Sequence, residues 1–148
     1  MLVLSQKFCA AVETNTTPKK FSAYIGGFLG TSYTVELQNG VLNYSEAKSP
    51  KDIKTNQISP TPEQWLNFRH ELDNIKIWSW KTNYPNSKVY DGTQWSIDIE
   101  YPDHVLHVRG NNNYPEKSGK PNNKPEPTKV FKDYLAAIQN LLGGKKFD

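Results

Sequence analysis

The chain has 148 residues, a net charge of +3 at pH 7, 12% aromatic side chains and one cysteine. That length matches one ordinary domain, and the charge is far below the dense Lys/Arg load of a protein that grips duplex DNA by its phosphates alone. A lone cysteine, Cys9, excludes an internal disulfide and fits the cytoplasm, while the low apolar share of 36% is offset by aromatics that each bury a large area.

The opening run MLVLSQKFCAAV has three apolar residues after Met1 before Ser5, Gln6 and Lys7 interrupt it. This is too short for a signal-peptide core or a membrane span, so a soluble, unprocessed chain is expected. Residues 2–12 suit an edge strand or a short helix equally. Phe21, Ala23 and Ile25 alternate with Ser22 and Tyr24, Gly26-Gly27-Phe28-Leu29-Gly30 turns the chain, and Tyr33, Val35 and Leu37 alternate again. Asn39-Gly40 signals a two-residue hairpin because both turn positions need positive φ, and Val41, Leu42 and Tyr44 return. Residues 20–46 thus read as a three-stranded antiparallel meander, and the polar stretch 46–60, with two prolines, as a loop.

Thr61, Pro62 and Gln64 form the signature of a capped helix start, in which Thr61 and Gln64 satisfy each other's free backbone donors. Trp65, Phe68, Leu72 and Ile75 make one helical stripe, which should end near Asp73-Asn74. After turns at Tyr84-Pro85-Asn86 and Asp91-Gly92, Trp95, Ile97, Ile99 and Tyr101 alternate strictly with polar residues, the clearest strand in the chain. Leu106 and Val108 lie on one face of the returning strand, with His107 and Arg109 on the other. The run from Tyr114 to Pro127, four prolines among lysines and asparagines, predicts a flexible loop over about 115–128. Thr128 can cap a last helix carrying Phe131, Tyr134, Leu135, Ile138, Leu141 and Leu142, stopped by Gly143-Gly144. The fold class is α+β: a single domain over 1–148 with one antiparallel sheet of about five strands, meander plus hairpin, packed on two helices.

Most enzyme chemistries lack their residues. The glycine-rich turn has no Lys-Ser/Thr to hold a phosphate, and the spacing of His70, His104 and His107 suits no metal, with the latter two expected on opposite strand faces. Cys9 has no base near it in sequence, although the fold could supply a distant one. Asp98 and Glu100 share a strand face at about the separation of paired glycosidase carboxylates, which keeps a small hydrolase of sugars or nucleotides as an alternative to an ordinary wet face. No cofactor and no metal are expected.

The stretch from Trp78 to Pro115 concentrates aromatic and amide side chains. Trp78, Trp80, Tyr84, Tyr90, Asn111, Asn113 and Tyr114 sit in or beside turns, where aromatics can stack unpaired bases or anchor a protein interface. The competing reading is a small core that pins irregular loops, with Asp91 capping its own turn. Lys117, Lys120 and Lys124 belong to a tail with seven lysines from residue 117 onward, which would meet RNA or an acidic protein surface, or remain a solvated tail.

Trp65 with its helix, Trp78-x-Trp80, Asp91-Gly92-Thr93-x-Trp95, Gly110-x-Asn112-x-Tyr114-Pro115 and the Phe131–Leu142 helix resemble a pattern in small uncharacterised bacterial proteins. Gly27-Phe28-x-Gly30-x-x-Tyr33 and Asn39-Gly40 fit it too, so the resemblance covers about 20–143, with the segment from Glu116 to Thr128 departing as an insertion. It implies no catalytic residue. In type, though not in motif, the chain is similar to the accessory subunits of type III CRISPR ribonucleoprotein complexes, which sit beside the backbone subunits without cutting RNA. The resemblance implies a non-enzymatic, cytoplasmic interaction module whose partners are protein subunits of a larger complex and RNA, with no membrane. A further alternative is an immunity or inhibitor protein for one toxin or nuclease, although inhibitors of basic nucleases are more often acidic.

Overall fold

The computed structural model describes residues 16–27, 30–86, 88 and 92–148. The expectations for residues 2–12, Cys9, Phe28, Leu29, Val89, Tyr90 and Asp91 lie outside the described residues. The elements follow as β1 (Lys20–Gly27), β2 (Ser32–Gln38), β3 (Val41–Ser49), β4 (Asp52–Ile58), α1 (Pro62–Asn74), a 3-10 turn (Ile77–Ser79), β5 (Asn83–Tyr84), β6 (Thr93–Glu100), β7 (Val105–Asn111) and α2 (Lys129–Leu141).

The architecture is α+β with a single sheet, but the sheet has seven strands among the described residues, not about five, in the order β4-β3-β2-β1-β6-β7-β5. One added strand is β4, which lies in the stretch expected to be a loop and pairs antiparallel with β3 from Leu42↔Ile58 to Ser49↔Asp52. Its side chains are exposed on both faces except for half-buried Ile58, so no alternation marks it and backbone pairing alone defines it. The other is β5, two residues long, which pairs parallel with β7 through Asn83↔Arg109 and Tyr84↔Gly110; the sheet is therefore not wholly antiparallel.

Local signals build the remainder. Asn39 and Gly40 take φ of 52° and 79°, the left-handed pair that a twisted two-residue hairpin requires. The α1 cap is reciprocal: Thr61 Oγ1 accepts from Gln64 N–H at 3.1 Å, and Gln64 Oε1 from Thr61 N–H at 2.8 Å. Thr128 Oγ1 caps α2 by accepting from Phe131 N–H at 3.2 Å. At the far end of α2 Gly143 and Gly144 have positive φ and return their N–H groups to Asn140 and Gln139.

β1 and β6 meet in the middle of the sheet, in register from Lys20↔Glu100 to Gly27↔Thr93, and join the meander to the later hairpin. Phe21, Ala23 and Ile25 of β1 and Trp95, Ile97 and Ile99 of β6 point to the face covered by α1 and α2, where they meet Trp65, Phe68, Leu72, Phe131, Tyr134 and Ile138 in one buried cluster. The other face is polar, with Ser22, Tyr24, Ser96 and Asp98 half-buried and His107 and Arg109 exposed. Beyond α2 the chain folds back: Phe147 is buried against Tyr33, and the Tyr44 hydroxyl donates to the Lys146 carbonyl at 2.7 Å.

Candidate functional site: a lysine-bearing end pinned by buried aromatics

Trp95, on β6, is the hub of the end of the sheet nearest β5. Its ring centroid lies 4.7 Å from Phe131, 5.7 Å from Tyr84, 5.9 Å from Trp80 and 6.3 Å from Tyr114. Its indole N–H donates to the Asn113 carbonyl at 3.1 Å. Gly110 stands opposite on β7, where a Cβ would lie 2.1 Å from the indole, so only glycine lets the strand pass the ring.

This cluster corrects the expected recognition surface. Trp80, Tyr84, Asn113 and Tyr114 are buried, between 0% and 6% exposed, and none of them can meet a partner. They are the small core that holds irregular chain in place, the competing reading of the same residues. Asn111 is half-buried at the end of β7, and Tyr90 lies outside the described residues.

Trp78 is half-buried and belongs to a separate clamp. Its indole N–H donates to Asp73 Oδ1 at 2.7 Å, and its ring stacks on His104 at 4.5 Å with a 6° interplanar angle. Arg69 completes the clamp with a bidentate pair to Asp103 at 2.6 and 2.9 Å and a bond to Asp73 at 3.0 Å, its guanidinium 4.5 Å from the Tyr101 ring. Hydrogen bonding to Asp103 holds the guanidinium proton more tightly than usual and pulls the Asp103 carboxyl below its ordinary range. The clamp ties α1 to the β6–β7 turn. Each side-chain nitrogen of Trp78 and Arg69 is engaged in it.

The stretch 115–128 has no regular element, as its composition demands, but it is fastened rather than loose. The Tyr84 hydroxyl donates to the Gly119 carbonyl at 2.7 Å and accepts from Lys81 N–H at 2.9 Å. Asn113 Oδ1 accepts from Asn123 N–H at 2.8 Å, while Asn113 Nδ2 donates to the Pro85 carbonyl at 2.8 Å. Asn122 and Tyr114 bond each other twice, and Pro115 and Pro121 form an isolated bridge. Gly119 adopts φ of 88° against the Ser79 carbonyl, a conformation and a clearance that suit glycine. Side-chain amides here do the work that a ladder does elsewhere, and proline content does not report that. Burial raises the Tyr84 phenol above its usual range, against the opposing bond from Lys81 N–H, so it stays protonated and able to donate.

The consequence is electrostatic. The two segments stitched together, 76–88 and 114–133, carry eight lysines against three acids, a larger local excess than the +3 of the whole chain. Lys117, Lys120 and Lys124, named from sequence, are all exposed, as are Lys81 and Lys88. A groove of about 440 Å³ between the end of α1 and the start of α2 brings Lys117 beside Lys76 and Lys129, with Glu116 and Asp133 on its walls. Lys129 is paired to Asp133 at 2.9 Å. Lys129 ends the Lys117–Lys129 loop read from sequence, whereas Lys76 escaped that reading; it follows a helix end with a left-handed φ of 55°, which nothing in its neighbours announces.

Asp98 is committed elsewhere. Its carboxylate meets His107 Nδ1 at 2.7 Å and Arg109 at 3.1 and 3.3 Å. Partial burial pushes the Asp98 carboxyl up, but the bonds from His107 and Arg109 outweigh this and hold it below the ordinary carboxylate range. These partners fasten Asp98 to β7 on the polar face of the sheet. Among the described residues no group of three His, Cys, Asp or Glu could hold a metal, and no helix is long and apolar enough to cross a membrane. No protein-family model matches the chain, and no curated protein matches it.

Proposed function

We propose that the chain is a non-catalytic interaction module that contacts single-stranded RNA through its lysine-bearing end, as an accessory subunit of a type III CRISPR ribonucleoprotein complex. The observation that carries this reading is the fastening of segment 115–128 to segment 79–86 by Tyr84 and Asn113, which presents Lys117, Lys120 and Lys124 on held backbone. Ordering these lysines before binding removes part of the entropy that a loose loop would lose on the partner. The recognition is of phosphate charge rather than of base identity, because Trp80, Tyr84 and Tyr114, which would stack bases, are buried and the Trp78 ring is stacked on His104.

Fluorescence anisotropy with a short single-stranded RNA tests this directly. Binding should weaken steeply with added salt, and the triple variant Lys117→Glu, Lys120→Glu, Lys124→Glu should lower the slope of log K against log salt by about 2, from about 0.7 per phosphate contact on a single strand. A slope unchanged by the triple variant defeats the RNA assignment. Co-purification of the tagged chain from its host tests the assembly: backbone subunits and RNA are expected with it, and a chain that emerges alone counts against it.

A further inference from the structure

We infer that the polar face of the sheet carries a second site, a trough across β3, β2, β1 and β6 that takes a neutral saccharide. Both helices pack on the opposite face, and a cavity of about 240 Å³ opens on this one between Ser22, Tyr24, Thr34, Glu36, Ser45 and Ser96. The strand register sets these side chains in two rows. Ser45, Thr34, Tyr24 and Ser96 stand abreast on successive strands, and Glu36 and Ser22 stand abreast in the next row. Strands about 4.8 Å apart give the first row a length of about 14 Å, and positions two residues apart on a strand separate the rows by about 7 Å. That footprint accommodates one or two sugar rings. Short side chains make the floor, and Gly26 shapes one end: a Cβ there would lie 2.6 Å from the Tyr24 hydroxyl, so the phenol ring leans along β1 over the glycine instead of standing over Ser22.

The polar groups around the trough are uncommitted. Among the described residues the Ser22, Tyr24, Thr34, Ser45 and Ser96 hydroxyls and the Glu36 carboxylate make no side-chain hydrogen bond or ion pair. Asp98, across from Ser22 on β6, is by contrast taken by His107 and Arg109. Hydroxyls both donate and accept, a carboxylate accepts from two hydroxyls at once, and a phenol joins an apolar ring to a polar tip. A sugar presents the matching set, with hydroxyls of both senses along its edge and C–H groups on its face. The lining holds no lysine or arginine, so a phosphate would find no counter-charge there. Its two aliphatic members, Ala23 and Val35, turn their side chains into the core, which leaves nothing for a lipid chain. The trough shares no residue with the lysine-lined groove and is independent of the RNA reading.

Amide chemical shifts of the isotope-labelled full chain, followed as maltotriose, cellotriose or mannotriose is raised to about 10 mM, test the site at the millimolar affinity expected of so open a trough. At least one of the three should move amides of β1, β2, β3 and β6 around the lining residues, saturably, and leave the lysine-bearing end still. Glu36→Gln, at an exposed position, should weaken binding about tenfold by removing a charge-assisted acceptor. Thr34→Trp, also exposed, should fill the trough and abolish binding, and the dispersion of each variant's spectrum checks that the fold is kept. No movement with any of the three sugars, movement spread beyond these strands, or a Glu36→Gln variant that binds as tightly as the parent overturns the proposal. So does movement of the same amides by putrescine and not by sugar, which would make Glu36 the anchor of a cation.

Discussion

Asp98 sits at the wet face of the central hairpin against His107 and the Arg109 guanidinium, and its lowered carboxyl pKa makes it a contributor to stability with a definite pH signature. The unfolded chain holds the Asp98 proton more tightly than the folded one. The contribution is therefore fully present above the ordinary carboxylate pKa of about 4 and is lost as the pH falls through the lower folded value. Asp98→Asn should flatten the acid limb of stability, measured by urea unfolding from neutral pH downward. Sequence places Asp98 and Glu100 on one face of β6, but it does not show that His107 and Arg109 arrive from β7 to claim the first of them.

At the scale of elements, Tyr84 connects a two-residue strand to a segment without regular structure, and its hydroxyl is the joint. Tyr84→Phe keeps the ring in the Trp95 cluster but leaves Lys81 N–H and the Gly119 carbonyl unpaired, at a cost of about 1–3 kcal/mol. Amide exchange should quicken across 116–123, and RNA affinity should fall although no lysine has changed; exchange unaltered in that stretch would mean the hydroxyl is not the fastening. What was legible from sequence at this scale is what local rules govern. The Asn39-Gly40 turn, the Thr61/Gln64 capping box, the two helical stripes and β6 all appear where periodicity and cap chemistry place them. β4 was not legible because an edge strand wet on both faces has no alternation to read. The stretch 115–128 was legible as irregular, and its fastening was not, because the Asn113 and Asn122 side chains bond backbone groups remote in sequence or, at Asn123, held at positive φ.

Across the whole molecule, the aromatic concentration from Trp78 to Pro115 marks the important end of the chain, but as scaffold: Trp80, Tyr84 and Tyr114 are buried under the lysines they position. Sequence alone weighs a stacking platform against a small core evenly, since both need aromatics near turns; burial separates them. The central pairing of β1 with β6 carries a further consequence, for the order in which the chain assembles. β1 meets β2 across a short connection, whereas Ala23 reaches Ile97 only after some 70 intervening residues have been placed, counted from the register of the two strands. Closing so long a loop is entropically costly, so the meander should organise in the rate-limiting step and the β1–β6 seam should zip after it. Stopped-flow chevrons give the readout: Val35→Ala in β2 should chiefly slow folding, and Ile97→Val at the seam should chiefly hasten unfolding. Native opening would then begin at the middle of the sheet, parting the chain into two halves that each keep their own hairpin.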